Sequence, residues 1–133
     1  MKRLIVTAVA LLGCTSMNAM ADCASPQIKG KDLSTLVTGN TVCANNGGDR
    51  WQEQHRGGGQ LWDYKMGPSH AIDPSEQVGT WSINGNNVTY SYTSGGSYTY
   101  EIHGPAGGPY TFCPVGGGTQ INNAIFKTGQ VGC

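Results

Sequence analysis

Between residues 79 and 103, apolar and polar side chains alternate in three successive runs. Trp81 and Ile83 alternate with Thr80 and Ser82, and Val88, Tyr90 and Tyr92 with Thr89 and Ser91. Tyr98, Tyr100 and Ile102 alternate with Ser97, Thr99 and Glu101. A period of two gives each run one dry face and one wet face, as a half-buried strand requires. Asn84-Gly85 and Gly95-Gly96 separate the runs and tolerate the positive φ of tight hairpin turns. The pattern predicts a three-stranded antiparallel meander whose rings share one face.

The flanking sequence extends this picture. Residues 31–37 predict two helical turns with Leu33, Leu36 and Val37 on one side, Asp32 or Ser34 as the cap and Gly39 as the stop. Residues 40–44 read as a short strand. In residues 50–56, alternation puts Trp51, Glu53 and His55 on one face, and Gly57-Gly58-Gly59 turns the chain into a return strand over residues 60–65. There Trp62 and Tyr64 lie opposite Leu61 and Asp63. Residues 66–77 form the longest irregular stretch, with a capped single turn at Asp73-Pro74-Ser75-Glu76. Residues 110–113 and 121–127 supply the last strands. The expected fold is mainly β: a small antiparallel meander barrel, or a two-layer sandwich, of seven or eight strands with one short N-terminal helix plugging an open end. Closure into a barrel is preferred because it leaves no exposed edge.

The first 21 residues belong to a different class of segment. Met-Lys-Arg precedes an apolar run over residues 4–12, and Ala19-Met20-Ala21 supplies small residues before a cleavage point at Asp22. This reads as a secretory signal peptide, too short to span a membrane, with a single domain over residues 22–133. Leu11-Leu12-Gly13-Cys14 offers a second reading, a lipoprotein box that would acylate Cys14 and anchor the protein to the outer membrane; the mass of the mature N-terminus separates the two. No second apolar run follows, so no transmembrane span is expected. Residues 22–133 carry six basic and eight acidic side chains, a net charge of −2, with no basic stripe. Nucleic acid and anionic membranes are therefore poor partners.

Cys23, Cys43, Cys113 and Cys133 remain after cleavage. An even count in a small exported domain implies two disulfides, in any of three pairings. Cys23–Cys43 with Cys113–Cys133 is preferred because each closes a short loop of about twenty residues. Cys43–Cys113 with Cys23–Cys133 stands close behind. No Cys-x-x-Cys or His-x-x-x-His spacing points to zinc, and neither a metal nor a cofactor is expected.

One resemblance rests on specific stretches. Residues 36–39 and the strand after them, Gly48-x-x-Trp51, the run Gly58-Gly59-Gln60-Leu61-Trp62-Asp63-Tyr64, and Val78-Gly79-Thr80-Trp81-Ser82-Ile83 together resemble small exported β-rich proteins of Gram-negative bacteria, some of them immunogenic antigens. The resemblance implies a periplasmic or secreted β domain. It carries no catalytic residues.

The remaining candidates for chemistry are sparse. His55, His70 and His103, with Glu53, Asp63, Asp73 and Glu101 near them in sequence, are the acid–base and ligand candidates, but none stands at a ligand spacing. Glu53 with Asp63, or Asp63 with Glu101, could act as glycosidase carboxylates. No Gly-x-Ser-x-Gly elbow exists, and the glycines of residues 114–119 lack a Walker lysine. The aromatics point instead to binding: Trp51, Trp62 and Tyr64 are the expected ligand platform for a small ligand, glycan or protein partner. The balance favours a non-enzymatic exported binding or structural module. The rivals are a small periplasmic hydrolase with His55 or His103 on a carboxylate, and a host-exposed antigen with loop 65–77 as its antibody-facing part.

Overall fold

The alternation seen in the meander governs the whole domain. In the computed structural model, which describes residues 22–46, 49–63 and 76–133, one helix is followed by eight strands. These are α1 (Gly30–Val37), β1 (Thr41–Asn46), β2 (Asp49–Arg56), β3 (Gln60–Asp63), β4 (Glu76–Asn84), β5 (Asn87–Tyr92), β6 (Ser97–His103), β7 (Tyr110–Pro114) and β8 (Ile121–Lys127). Each strand pairs antiparallel with the next and β8 returns to β1, closing an up-and-down barrel rather than a sandwich. The signal peptide, Cys14, Tyr64, Lys65, His70 and Asp73 lie outside the described residues. Glu76 and Gln77, read from sequence as turn and loop, open β4.

Register partners share a face, so the pairing identifies the lining. Trp81 stands opposite Tyr90, Ile83 opposite Val88 and Val88 opposite Tyr100. On the other half, Ala44 faces Trp51, Val42 faces Glu53 and Phe126, and Ile102 faces Phe112. An eight-stranded barrel is just wide enough to be filled by such side chains. Phe112 is at its centre, with ring centroids 4.9 Å from Trp51, 5.7 Å from Tyr100 and 6.0 Å from Phe126. The polar alternates stay outside, where Thr89 and Thr99 hydrogen-bond across strands at 2.8 Å and Ser91 and Ser97 at 2.7 Å. That cross-strand pairing is the sheet's local glue.

The helix closes one end of the barrel, with Leu33 and Val37 fully buried in the core. Neither Asp32 nor Ser34 caps it. The first-turn N–H of Gly30 donates instead to Asn86 Oδ1 at 3.0 Å, so the β4–β5 hairpin supplies the cap from across the barrel end. Gly39, at φ 76°, then lets the chain turn into β1.

Both predicted disulfide arrangements are corrected. The bonds are Cys23–Cys113 and Cys43–Cys133, each spanning 90 residues. Cys43 and Cys113 both face outward, alternating with the inward Val42 and Phe112, but β8 lies between their strands. Two strand spacings put them roughly 10 Å apart, beyond disulfide reach. Each therefore takes the terminal segment that crosses its own outer wall. The lead-in runs over β6, where Ile28 N–H donates to the Ile102 carbonyl at 2.7 Å and Gly104 N–H to that of Pro26 at 3.0 Å. The tail runs over β1 and β2. There Thr41 Oγ1 donates to the Gly129 carbonyl at 2.7 Å and Gln54 Nε2 to that of Val131 at 3.2 Å. This strap explains why Thr41, Gln52 and Gln54 are outward-facing yet buried.

Gly79, inside β4 opposite Leu61 and Tyr92, marks a close approach of two backbones. A Cβ there would run into the Ser91 carbonyl oxygen and meet Tyr92 Cα at 3.0 Å. Gly79→Ala is expected to destabilise the barrel by about 2–3 kcal/mol, read from the urea midpoint. An unchanged midpoint would mean that the strands separate freely at this position.

Candidate functional site at the open end of the barrel

At the end opposite α1, where β1, β3, β5 and β7 finish, three cavities are bordered by described residues. The mouth is about 350 Å³, with Trp51, Tyr92, Tyr98 and Tyr100 as its rings, Arg50 on the rim and Ile121 on the far wall. A neighbouring basin of about 480 Å³ lies between Glu76–Val78 of β4 and the β5–β6 turn, and shares Tyr92 and Tyr98. These two rings sit 6.1 Å apart and tilted, forming a ridge between the cavities. Tyr98 is inward by register, opposite Tyr90, but stands at the barrel lip and remains 38% exposed.

Beneath the ridge lies Glu53, 3% exposed, on β2 opposite Asp63. Tyr92 Oη donates to Glu53 Oε1 at 2.8 Å. Glu53 Oε2 has no hydrogen-bond partner among the described residues. Burial pushes the Glu53 carboxyl up to about 8, only partly offset by Tyr92 and by Trp51, and Asp63 adds to the rise. At neutral pH Glu53 is mostly a neutral carboxylic acid, and it fixes the Tyr92 side of the mouth. Burial, followed by the nearby carboxyl, drives the Tyr92 phenol well above its ordinary value, so it remains a donor.

The sequence-predicted platform is divided. Trp51 lines the mouth. Trp62 lies on the outer wall, where the Arg56 guanidinium covers its ring at 4.0 Å and its Nε1 donates to Gln60 Oε1 at 3.1 Å. Tyr64 is outside the described residues. Tyr92, Tyr98 and Tyr100, treated from sequence as core by their alternation, complete the mouth. Their position at the strand ends is set by which end the helix closes.

The acid–base candidates do not assemble. His55 shares a face with Glu53 as the alternation predicts, but that face is the sealed interior rather than an exposed surface. His55 Nδ1 lies 3.0 Å from the Asn40 carbonyl, which can only accept, so Nδ1 carries the proton. Nε2, 2.9 Å from Tyr90 Oη, accepts the phenol hydrogen. Burial lowers His55 to about 4, and the neutral ring is a core strut beside Trp81 and Tyr90. His103 does meet a carboxylate, Glu101 at 2.9 Å, but on the outer wall under the lead-in, with Nδ1 donating to the Ser25 carbonyl at 2.6 Å. It lines none of the three cavities. Glu53 and Asp63 are neighbours, yet Glu53 lines none of these cavities either. Glu101 faces outward on a strand that β3 does not touch. Residues 115–120 lead into a strand, not a helix, so they form no phosphate loop; Gly118 and Thr119 border the mouth. No cluster of three metal-ligating side chains exists among the described residues.

No family model, curated protein or solved structure matches this chain. No helix among the described residues is long and apolar enough to cross a membrane. The two disulfides indicate a protein that matures in an oxidising compartment, outside the cytoplasm.

Proposed function

We propose that this protein is an exported, periplasmic or secreted, non-enzymatic binding module that takes the ring of a glycan at the open end of its barrel. The observation that carries the reading is the aromatic lip: Tyr98 partly exposed, ridged against Tyr92, with Trp51 and Tyr100 beside it. Flat rings at a solvent-open cavity offer a sugar face apolar contact, while phenol hydroxyls and Arg50 serve its oxygens. Export is supported by the leader-like first 21 residues, the two disulfides and the resemblance to small exported β-rich proteins. The hydrolase alternative lacks support in the geometry of the described residues, because His55 is sealed in the interior, His103 sits with Glu101 on the outer wall, and neither histidine nor Glu53 lines one of the three cavities.

Tyr98→Ala tests this reading without disturbing the core. A thermal-shift panel of neutral and acidic oligosaccharides is expected to contain a sugar that raises the melting point of the native protein. The variant is expected to keep its own melting point and bind that sugar about tenfold more weakly. Undiminished binding by Tyr98→Ala would remove the aromatic lip from the site.

A further inference from the structure

The barrel's seam, where its last strand meets its first, is paired over only part of its length. β1 and β8 pair only through Thr41, Val42 and Cys43 against Lys127, Phe126 and Ile125. Beyond Cys43 the two strands diverge, β1 staying with β2 and β8 staying with β7. Asn123, at φ 55°, accompanies a register irregularity between β7 and β8. Between the diverging strands lies a cavity of about 500 Å³ on the outer wall.

Its lining is rich in donors. Asn45, Gln120, Asn122 and Asn123 border it together with Arg50 and Gln52, and no acidic side chain is among its described lining residues. Gln52 is 1% exposed, and its Oε1 accepts the Cys133 N–H at 3.1 Å. That bond fixes the carboxamide, because only the oxygen can accept a backbone N–H. Nε2 is therefore committed to the other side, where no acceptor meets it among the described residues. A buried donor held without a partner is costly unless something supplies an acceptor. Arg50 makes no ion pair among the described residues and borders both this groove and the aromatic mouth.

We infer that the seam groove is a carboxylate-recognising subsite, and that the ligand is an acidic oligosaccharide running from the mouth over Arg50 into the seam. This rests on the reading of the mouth as a glycan site. Arg50 and Gln52 Nε2 take the carboxylate of a uronic-acid unit by charge-assisted hydrogen bonds. The asparagine and glutamine amides take ring hydroxyls. A glycan is favoured over a peptide because the groove offers amides rather than apolar side-chain pockets, and because it continues into a lip of rings.

The test uses calorimetric titration of the full protein with a hexamer of galacturonate, a neutral glucose hexamer and a peptide with a free C-terminal carboxylate. The acidic hexamer is expected to bind at least about tenfold more tightly than the neutral one at low salt. Gln52→Glu keeps the acceptor for Cys133 N–H and replaces the free donor with negative charge; it is expected to weaken the acidic hexamer about tenfold and leave the neutral one unchanged. Arg50→Gln, at an exposed position, is expected to weaken the acidic hexamer by a larger factor than the neutral one, and decides the matter should Gln52→Glu fail to fold. Equal affinity for the two hexamers, unchanged binding by both variants, binding of neither hexamer, or preference for the peptide would overturn the inference. If Tyr98→Ala weakens both hexamers while the seam variants do nothing, the mouth stands and the seam falls. If the seam variants weaken the acidic hexamer and Tyr98→Ala has no effect, the groove is a carboxylate site but the continuous ligand falls, together with the mouth reading.

Discussion

Between pH 6.5 and 8 the protein is expected to lose about 1 kcal/mol of stability, and Glu53→Gln is expected to abolish that loss. Glu53 is raised from 4.5 to about 8 in the fold. Between those values the folded state binds more protons than the unfolded chain, so stability falls as pH rises, by about 1.4 kcal/mol per unit. His55 works in the opposite direction. Its value drops from 6.5 to about 4, so its contribution is complete above 6.5 and is lost as pH falls toward 4. The two slopes nearly cancel from pH 4.5 to 6.5 and leave a plateau. Above 6.5 the Glu53 loss outweighs the last part of the His55 gain. In Glu53→Gln, the His55 slope stands alone, so stability climbs by about 2–3 kcal/mol between pH 4.5 and 8, most of it below pH 6.5. Relative to their values at pH 4.5, the variant exceeds the native protein by about 4 kcal/mol at pH 8. Urea titrations at half-unit pH steps read both curves. A native profile still flat between pH 6.5 and 8 would mean that Glu53 is ionised in the fold without penalty.

The same two residues show what the sequence could and could not convey. Alternation put Trp51, Glu53 and His55 on one face, and they share it. It could not say whether that face was wet, because an amphipathic strand with a glutamate and a histidine on one side reads equally well as an exposed ion pair. Burial came from closure, a property of all eight strands together. The meander itself was legible, and Tyr90 and Tyr100 do share its inner face with centroids 6.1 Å apart, but closure was preferred over a sandwich only because it leaves no exposed edge. The mouth was only half legible. Trp62 is one residue from an inward position, and alternation sends it outside to Arg56, while Tyr98 and Tyr92 gain their role from the end of the barrel that α1 leaves open. The seam left no local signal at all, because the divergence of β1 and β8 depends on residues far apart in the chain.

Loss of the Cys43–Cys133 bond, by Cys43→Ala with Cys133→Ala, is expected to cost about 4–5 kcal/mol, the unfolded-state entropy released by opening a 90-residue loop. The native-state consequence is local and adds to it. Freed of its anchor, the tail no longer covers Gln52 and Gln54, and the bonds from Cys133 N–H to Gln52 Oε1 and from Gln54 Nε2 to the Val131 carbonyl are given to water. The tail lies over the paired part of the seam, bonded at Thr41 and Cys43, and beside the groove where the strands diverge. Removing the Cys23–Cys113 bond frees the other terminal segment, which lies over β6 and β7 rather than over β1 and β2; its amide-exchange signature should therefore differ. The first double variant should accelerate exchange in β1 and β8, the second mainly in the lead-in around Ile28. The pairing itself is read directly by mass: trypsin sites at Lys29, Lys31, Arg50, Lys65 and Lys127 put the four cysteines on four different peptides. The unreduced digest should join the peptide of Cys23 to that of Cys113 and the peptide of Cys43 to that of Cys133. Recovery of a Cys113–Cys133 peptide would mean that the tail crosses the other side of β8, and the cover over Gln52 would go with it.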